Sequence, residues 1–479
     1  MSQSGIKKVT VHGLHHHLDI ELELKPGLNV LYGKNGRGKT TILHIIANVL
    51  EADFQRFNHL QFTKISIENF NSNTLEIHKD SDSKLKISLD GNDVGIYEKA
   101  DSIAPEILPL ERQAIRAMFG GRPLYLPAFR AILERVRSDS YADQTRDSTQ
   151  FELVRNNERV ALKEAGLPMS PSRWNGRGDV TSFTARKTIQ CREWFGPFVP
   201  VIRYPSLMEV SDGLSDELRD AQIDLAQSER KMLSSMFIDV FKALVSSEET
   251  PADGEVESLL KRVRQSLDGD ENTNTDRYSD SIGSRLGEVV EKVKELGSAE
   301  EGAAQRRVLK LYAEMLENRN KDRMEAFHKV KQFEHAVNLF LGDSKTLHVS
   351  DRHNLRIGRR PPEPVYVETV NGRQYSLSSL SSGERQVLTM LFSATRMGTL
   401  GPGIFLIDEP ELSLHVDWQR IILSSLKSQA GDRQILACTH SPEVGADHGD
   451  VVQMFSPKVT EPALPQPEMD TEDFMDDLI

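Results

Sequence analysis

Residues 33–50 read GKNGRGKTTILHIIANVL, and the strand-like run LNVLYG at 28–33 leads straight into them. Gly33, Gly38, Lys39 and Thr40 fit the G-x-x-x-x-G-K-[ST] phosphate loop in the context that gives the pattern meaning, after a strand and before an amphipathic helix. The glycines are needed because the loop must turn its N–H groups inward around phosphate oxygens, where a Cβ would block the approach. Lys39 then neutralises the β- and γ-phosphates, the Thr40 hydroxyl holds Mg2+, and the helix N-terminus adds its dipole. Such a loop implies an α/β sheet, whose other strands should be recognisable elsewhere in the chain.

Two of them are. In GIFLIDEPELSLH (403–415), Ile404 to Ile407 form an apolar run of the kind that makes a buried strand, with Asp408 and Glu409 at its end. The carboxyl end of a parallel strand is where an open α/β sheet places its ligands. Asp408 is thus positioned to hold Mg2+ through water, and Glu409 to polarise an attacking water. About thirty residues on, RQILACTH (433–440) is a second buried strand ending in His440, where a γ-phosphate could be reached. A Ser-rich run, LSSLSSGERQ (377–386), precedes the apolar VLTMLFSA. By itself it is a loop that caps a helix.

Taken together, GKNGRGKTT, SLSSGERQ, FLIDEPELSLH and CTHSPEV resemble the ATP-binding-cassette ATPases of the RecF, SMC and OLD (overcoming lysogenization defect) branch. The likeness covers roughly residues 1–100 and 330–456. It implies an α/β head, a phosphate-loop sheet plus an antiparallel β lobe, that binds ATP and Mg2+. By this resemblance Gly33, Asn35, Gly36, Gly38, Lys39, Thr40 and Thr41 hold the nucleotide, with Ser381, Gly383 and Glu384 of the signature Leu380–Gln386. Thr40 and Asp408 attend the metal, Glu409 is the base, Pro410–His415 is the D-loop, and His440 is the switch histidine. Gln61, before FTKISIEN, takes the place of a Q-loop glutamine that bridges metal and water; a solvated edge glutamine is the other reading. Ser382 replaces a glycine common in cassettes, and His415 an aspartate usual in transporters. The LSLH form is familiar among OLD-like proteins.

Lys39 and Ser381 lie more than three hundred residues apart, so the head is split by an insertion. The expected layout is an N-terminal ATPase lobe with a β meander (1–110), an Arg-rich insertion (111–205), a helical arm (206–335), a C-terminal ATPase lobe (336–458) and an acidic tail (459–479). Residues 111–203 mix arginines, Arg130 among them, with aromatics such as Phe129, Trp194 and Phe195. That composition suits nucleic-acid contact; a set of solvated faces and internal ion pairs is the other reading. The segment RPLYLPAFRAILER reads as a short strand breaking at Pro127 into a basic helix. Arg130 either approaches the nucleotide, couples the insertion to it, or is structural. Apolar residues recur at helical spacing over 207–245 and 282–341 around the polar run DGDENTNTDRYSDS, giving a short antiparallel coiled-coil arm or a compact helical subdomain.

A hydrophobic fraction of 38% and a charged fraction of 27% are those of a globular protein. The net charge of −13 argues against coating nucleic acid with the whole surface but leaves room for a local basic groove. With two unpaired cysteines, no secretory signal and no long apolar run, a cytoplasmic protein without membrane contact is expected. The last twenty residues carry seven acids and no lysine or arginine. Phe474, Met475, Leu478 and Ile479 could anchor them on a partner. The three adjacent histidines, His15–His17, alternate faces on a strand and cannot share one metal, so they read as a turn or strand edge.

The resemblance also implies a head-to-head dimer, in which the signature of one copy closes over the phosphate loop of another, and a higher homo-oligomer around it. No strand-borne nuclease acids follow His440, so no nuclease site is expected in this chain. Size and motif order resemble the ATPase subunits of two-gene anti-phage systems such as Septu and PARIS, which implies a separate effector nuclease of HNH or TOPRIM type, contacted through the acidic tail or the arm. RecF-like DNA repair is the second function that the motifs fit.

Overall fold

The computed structural model describes residues 5–80, 84–97, 109–130, 180–245, 258–259, 261–263, 265, 300–350, 364–400 and 403–459. They fall into two compact units, 1–204 with 393–479, and 205–392. The first begins with β1 (Ile6–Leu14), β2 (Leu18–Glu23), β3 (Leu28–Tyr32) and α1 (Lys39–Glu51). It continues through β4 (Lys64–Asn69), β5 (Thr74–Lys79), β6 (Leu85–Leu89), β7 (Asn92–Tyr97), α2 (Pro109–Met118), β8 (Leu124–Leu126) and α3 (Val180–Phe195). The second holds α4 (Leu207–Val245), α5 (Glu300–Leu341), β9 (Lys345–Val349), β10 (Val365–Thr369) and β11 (Gln374–Tyr375). The chain returns to the first unit within α6 (Ser382–Leu400) and adds β12 (Phe405–Asp408), α7 (Val416–Ala430), β13 (Ile435–Thr439), α8 (Pro442–Gly445), β14 (Val452–Met454) and β15 (Lys458–Val459).

Strand burial sorts the first unit into two sheets. FLID and ILACT are buried at every position, as strands covered on both faces must be, and they lie inside a parallel sheet of order β14-β3-β13-β12-β8. KISIEN instead alternates buried and half-buried, the pattern of a strand with one covered face. It belongs to an antiparallel sheet of order β15-β2-β1-β4-β5-β6-β7, which contains the expected meander. Gln434, 4% exposed, joins the two sheets. Its Oε1 accepts Ile6 N–H at 2.8 Å, and its Nε2 donates to Ile6 O at 2.7 Å and Lys25 O at 3.0 Å. The histidine triplet forms the β1–β2 turn, with His15 and His16 at φ 52° and 69°.

Register decides where the chemistry can collect. Asp408 pairs with Cys438, Cys438 with Leu31, Thr439 with Tyr32, and Ile407 with Leu126. Four strands therefore end at one level, and the residues that follow them, Gly33, Glu409, His440 and Pro127, emerge along one edge of the sheet.

In the second unit α4 and α5 pack antiparallel. Arg319 Nε meets Glu229 Oε1 at 3.0 Å, Ser228 donates to Asp322, and Arg307 Nε donates to Ala243 O at 2.8 Å. Leu309, Ala313 and Leu316 pack with Leu259 and Val263 in a small core. The polar run DGDENTNTDRYSDS and the acidic tail from residue 460 lie outside the described residues. No helix among the described residues is long and apolar enough to cross a membrane.

Several arginines of 111–203 are used within the first unit. Arg116 and Arg203 both meet Glu51 at the end of α1, and Arg192 meets Asp53 at 3.1 Å with only 8% of its side chain exposed. Burial pulls Arg192 down to about 10, opposed by the Asp53 carboxylate. Here the internal-pair reading of the arginines applies. Arg135, Arg137, Arg155, Arg159, Arg173 and Arg177 lie outside the described residues.

Candidate nucleotide site

The loop from Gly33 to Lys39 connects β3 to α1. A Cβ on Gly33 would lie 3.0 Å from Phe455 O, a tight contact that glycine avoids where the loop passes the end of β14. Gly38 sits at φ 92° and caps α1, a conformation that turns the first free N–H groups of the helix into the loop. Lys39 is 6% exposed, and its ammonium donates to Gly33 O at 2.6 Å and Lys34 O at 3.0 Å. The charge is thereby held over the concave face of the loop, where Asn35, Gly36 and Thr41 also belong by sequence.

Thr40 is tied to the other half of the site. Its Oγ1 donates to Asp408 Oδ2 at 2.8 Å, across 368 residues of chain. Asp408 is 2% exposed, and its second oxygen, Oδ1, is buried without a hydrogen-bond partner. Burial raises this carboxyl from 3.8 to about 6, the Thr40 hydrogen bond opposing and the nearby Glu409 charge reinforcing the shift. A buried carboxylate with one oxygen on a threonine hydroxyl and the other unpartnered is a donor set that fits a hard divalent cation. Mg2+ suits these residues on that ground.

Glu409 turns out of the strand in the left-handed region at φ 48°, unusual for a residue with a Cβ. Its N–H donates to Cys438 O at 2.8 Å. Its Oε1 lies 3.4 Å from His440 Nδ1, so the two residues expected to act on the attacking water and the γ-phosphate stand side by side. His440 is 41% exposed and Glu409 23%, leaving both reachable from solvent.

Glu411 is not singled out by any motif of the sequence. Its carboxylate, 5% exposed, accepts from Thr439 Oγ1 at 2.6 Å, His440 N at 2.9 Å and Ser441 N at 3.1 Å, and lies 3.1 Å from His440 Nδ1. One side chain of the D-loop thus fixes both the backbone and the ring of His440. The signal in the sequence is an acid three residues beyond Asp408, but its targets are backbone amides that no motif records. His44 escapes sequence reading too: it lies on α1 behind the loop, with Nε2 2.8 Å from the Tyr125 hydroxyl, and burial lowers it to about 3, so it is neutral.

The remaining sequence-derived residues stand elsewhere. His415 caps α7, its Nδ1 accepting Asp417 N–H at 3.4 Å. Gln61 is exposed and its carbonyl accepts His15 N–H at 3.0 Å; no hydrogen bond joins its side chain to the phosphate loop. The signature lies in the second unit. There Ser381 N donates to Glu384 Oε2 at 2.6 Å while Glu384 N donates to Ser381 Oγ at 3.4 Å, a reciprocal cap on α6. Lys345 Nζ pairs with the same carboxylate at 2.9 Å. Ser381 and Ser382 are exposed and Gly383 is buried.

Comparison with known proteins finds partial likenesses. A family model described as "AAA domain, putative AbiEii toxin, Type IV TA system" matches residues 219–447, and one described as "AAA domain" matches residues 8–167. The Retron Vc95 probable ATPase of Vibrio cholerae serotype O1 biovar El Tor is 31% identical over 137 residues, 26% of this chain and 25% of that protein. The Retron Ec83 probable ATPase of Escherichia coli is 34% identical over 121 residues, 21% of this chain and 22% of that one. The matched stretches thus span about a quarter of these relatives. The Smc head domain with an extended coiled coil from Pyrococcus furiosus aligns over 93% of this chain and 92% of its own, with a TM-score of 0.37 and 14% identity. Between them the two AAA-domain models take in the phosphate loop, the signature, Asp408, Glu409 and His440.

Proposed function

We propose that this chain binds and hydrolyses ATP with Mg2+, at a site completed by the signature of a second copy, as the ATPase subunit of an anti-phage defence complex. The observation that carries the hydrolytic part is the buried Asp408, one oxygen on Thr40 and the other unpartnered, with Glu409 and His440 immediately beyond it. Thr40 and Asp408 would hold the metal, which when bound supplies positive charge to the β- and γ-phosphate oxygens. Lys39 exchanges its loop carbonyls for phosphate oxygens. Glu409 accepts a proton from the attacking water, and His440, steadied by Glu411, donates toward the γ-phosphate. The exposed Ser381 and the N–H groups at the start of α6 suit the γ-phosphate of nucleotide bound to another copy.

The defence assignment is supported by the partial likeness to retron ATPases. In this proposal the ATP-bound oligomer restrains or presents a separately encoded nuclease of HNH or TOPRIM type, docked on the arm or the acidic tail, with nucleic acid as a further ligand of 111–203. The test is hydrolysis together with co-purification. Glu409→Gln is expected to bind ATP but to hydrolyse it at least about a hundredfold more slowly, as loss of a general base does, and a stoichiometric nuclease should accompany the parent protein. Parent-rate hydrolysis in Glu409→Gln removes Glu409 as the base. A protein that instead selects gapped DNA and brings down no nuclease belongs to repair.

A further inference from the structure

Among the described residues, the bulkiest fully buried side chain is not apolar. Arg130, 0% exposed, follows β8 by four residues and lies in the interior of the first unit. No carboxylate forms an ion pair with it among the described residues. Its two terminal nitrogens bind carbonyls alone: Nη1 donates to Pro127 O at 3.1 Å and Asp408 O at 2.9 Å, and Nη2 donates to Glu409 O at 2.9 Å and Pro410 O at 3.2 Å, while Nε is buried without a hydrogen-bond partner among the described residues. Three of these four acceptors are consecutive residues of one turn, the turn that carries the metal carboxylate and the base.

That turn needs holding. Glu409 sits at φ 48°, a conformation that a residue with a Cβ keeps only where its surroundings impose it. Its N–H is fixed on Cys438 O, and its carbonyl takes both Leu412 N–H at 3.2 Å and Arg130. The direction of the Glu409 side chain toward His440 depends on this backbone. A buried cation with no acid partner is costly, so stability alone would favour an apolar residue of similar size here.

We propose that Arg130 is a positioning residue for hydrolysis, its planar fork clamping the carbonyls of Asp408, Glu409 and Pro410 so that the Glu409 carboxylate is aimed at the attacking water. The proposal rests on Glu409 being the base. Lysine keeps the charge but presents one point donor on a flexible stem and cannot span the turn. Arg130→Lys and Arg130→Gln are therefore informative alone and combined with Glu409→Gln.

The expected result for Arg130→Lys is a kcat lower by about tenfold or more, as for displaced catalytic groups, with KM for ATP within about twofold of the parent. In the Glu409→Gln background the same change should cost less than about twofold, because residues acting through one another are not additive. Amide exchange at Glu409 and Leu412 should quicken in the variant, with or without nucleotide. An unchanged kcat, a loss that multiplies with that of Glu409→Gln, or failure of both Arg130 variants to fold overturns the proposal. A parent without ATPase activity refutes the hydrolytic reading instead. Exchange then still decides Arg130: faster exchange at Glu409 and Leu412 upholds the clamp, and parent-like exchange overturns it.

Discussion

At the scale of single residues, Asp408 shows what a metal-ready site costs. Its carboxyl is raised from 3.8 to about 6 because the folded chain buries it. A carboxyl raised in this way keeps its proton longer folded than unfolded, so its contribution to stability is fully present below about pH 4 and is lost as pH climbs through 6. A rise of that size corresponds to at most about 3 kcal/mol. Asp408→Asn is accordingly expected to raise stability at pH 7.5, without nucleotide or metal, by about 1–2 kcal/mol while abolishing hydrolysis. Urea unfolding of the two proteins checks this, and a variant no more stable than the parent contradicts it. Lys39, Asp408, Glu409 and His440 were legible in the sequence because each follows an apolar strand at a spacing that chemistry requires. Arg130 was singled out without its partners and Glu411 not at all, since each acts on backbone groups that only the folded chain brings near.

At the scale of elements, the Ser-rich run that looked like a helix-capping loop is one, and its signature residues do the capping. Ser381 and Glu384 satisfy each other's N–H groups at the start of α6, and Lys345 on β9 pairs with Glu384. The Ser-x-x-Glu spacing was there to be read, whereas Lys345 lies 39 residues away, in reach only once β9 is placed. Glutamine can replace glutamate in such a box, and alanine cannot. Glu384→Ala is expected to lose about 1–2 kcal/mol of stability, and Glu384→Gln less than about 1 kcal/mol. Chemical denaturation of both variants measures the difference; an alanine variant as stable as the parent removes the cap from the account. The strands were legible in the same way: fully apolar runs for the parallel sheet, alternating ones for the antiparallel lobe. The Gln434 link between those sheets has no local signature, because its partners Ile6 and Lys25 come from the other end of the chain.

At the scale of the whole molecule, the sequence separates the phosphate loop from the signature by more than three hundred residues, and the two stand in different compact units. In the proposed mechanism, ATP bound at Lys39 of one copy is hydrolysed with Ser381 of another. Mixing two inactive variants tests it most directly. Ser381→Arg leaves the phosphate loop intact, and Lys39→Ala leaves the signature intact. In a symmetric dimer that pairs at random, half the molecules of an equal mixture join the variants and each regains one complete site, so the ATPase rate should recover to about a quarter of the parent's. A mixture as inactive as its two components would show that signature and phosphate loop do not act across copies, and would contradict the account.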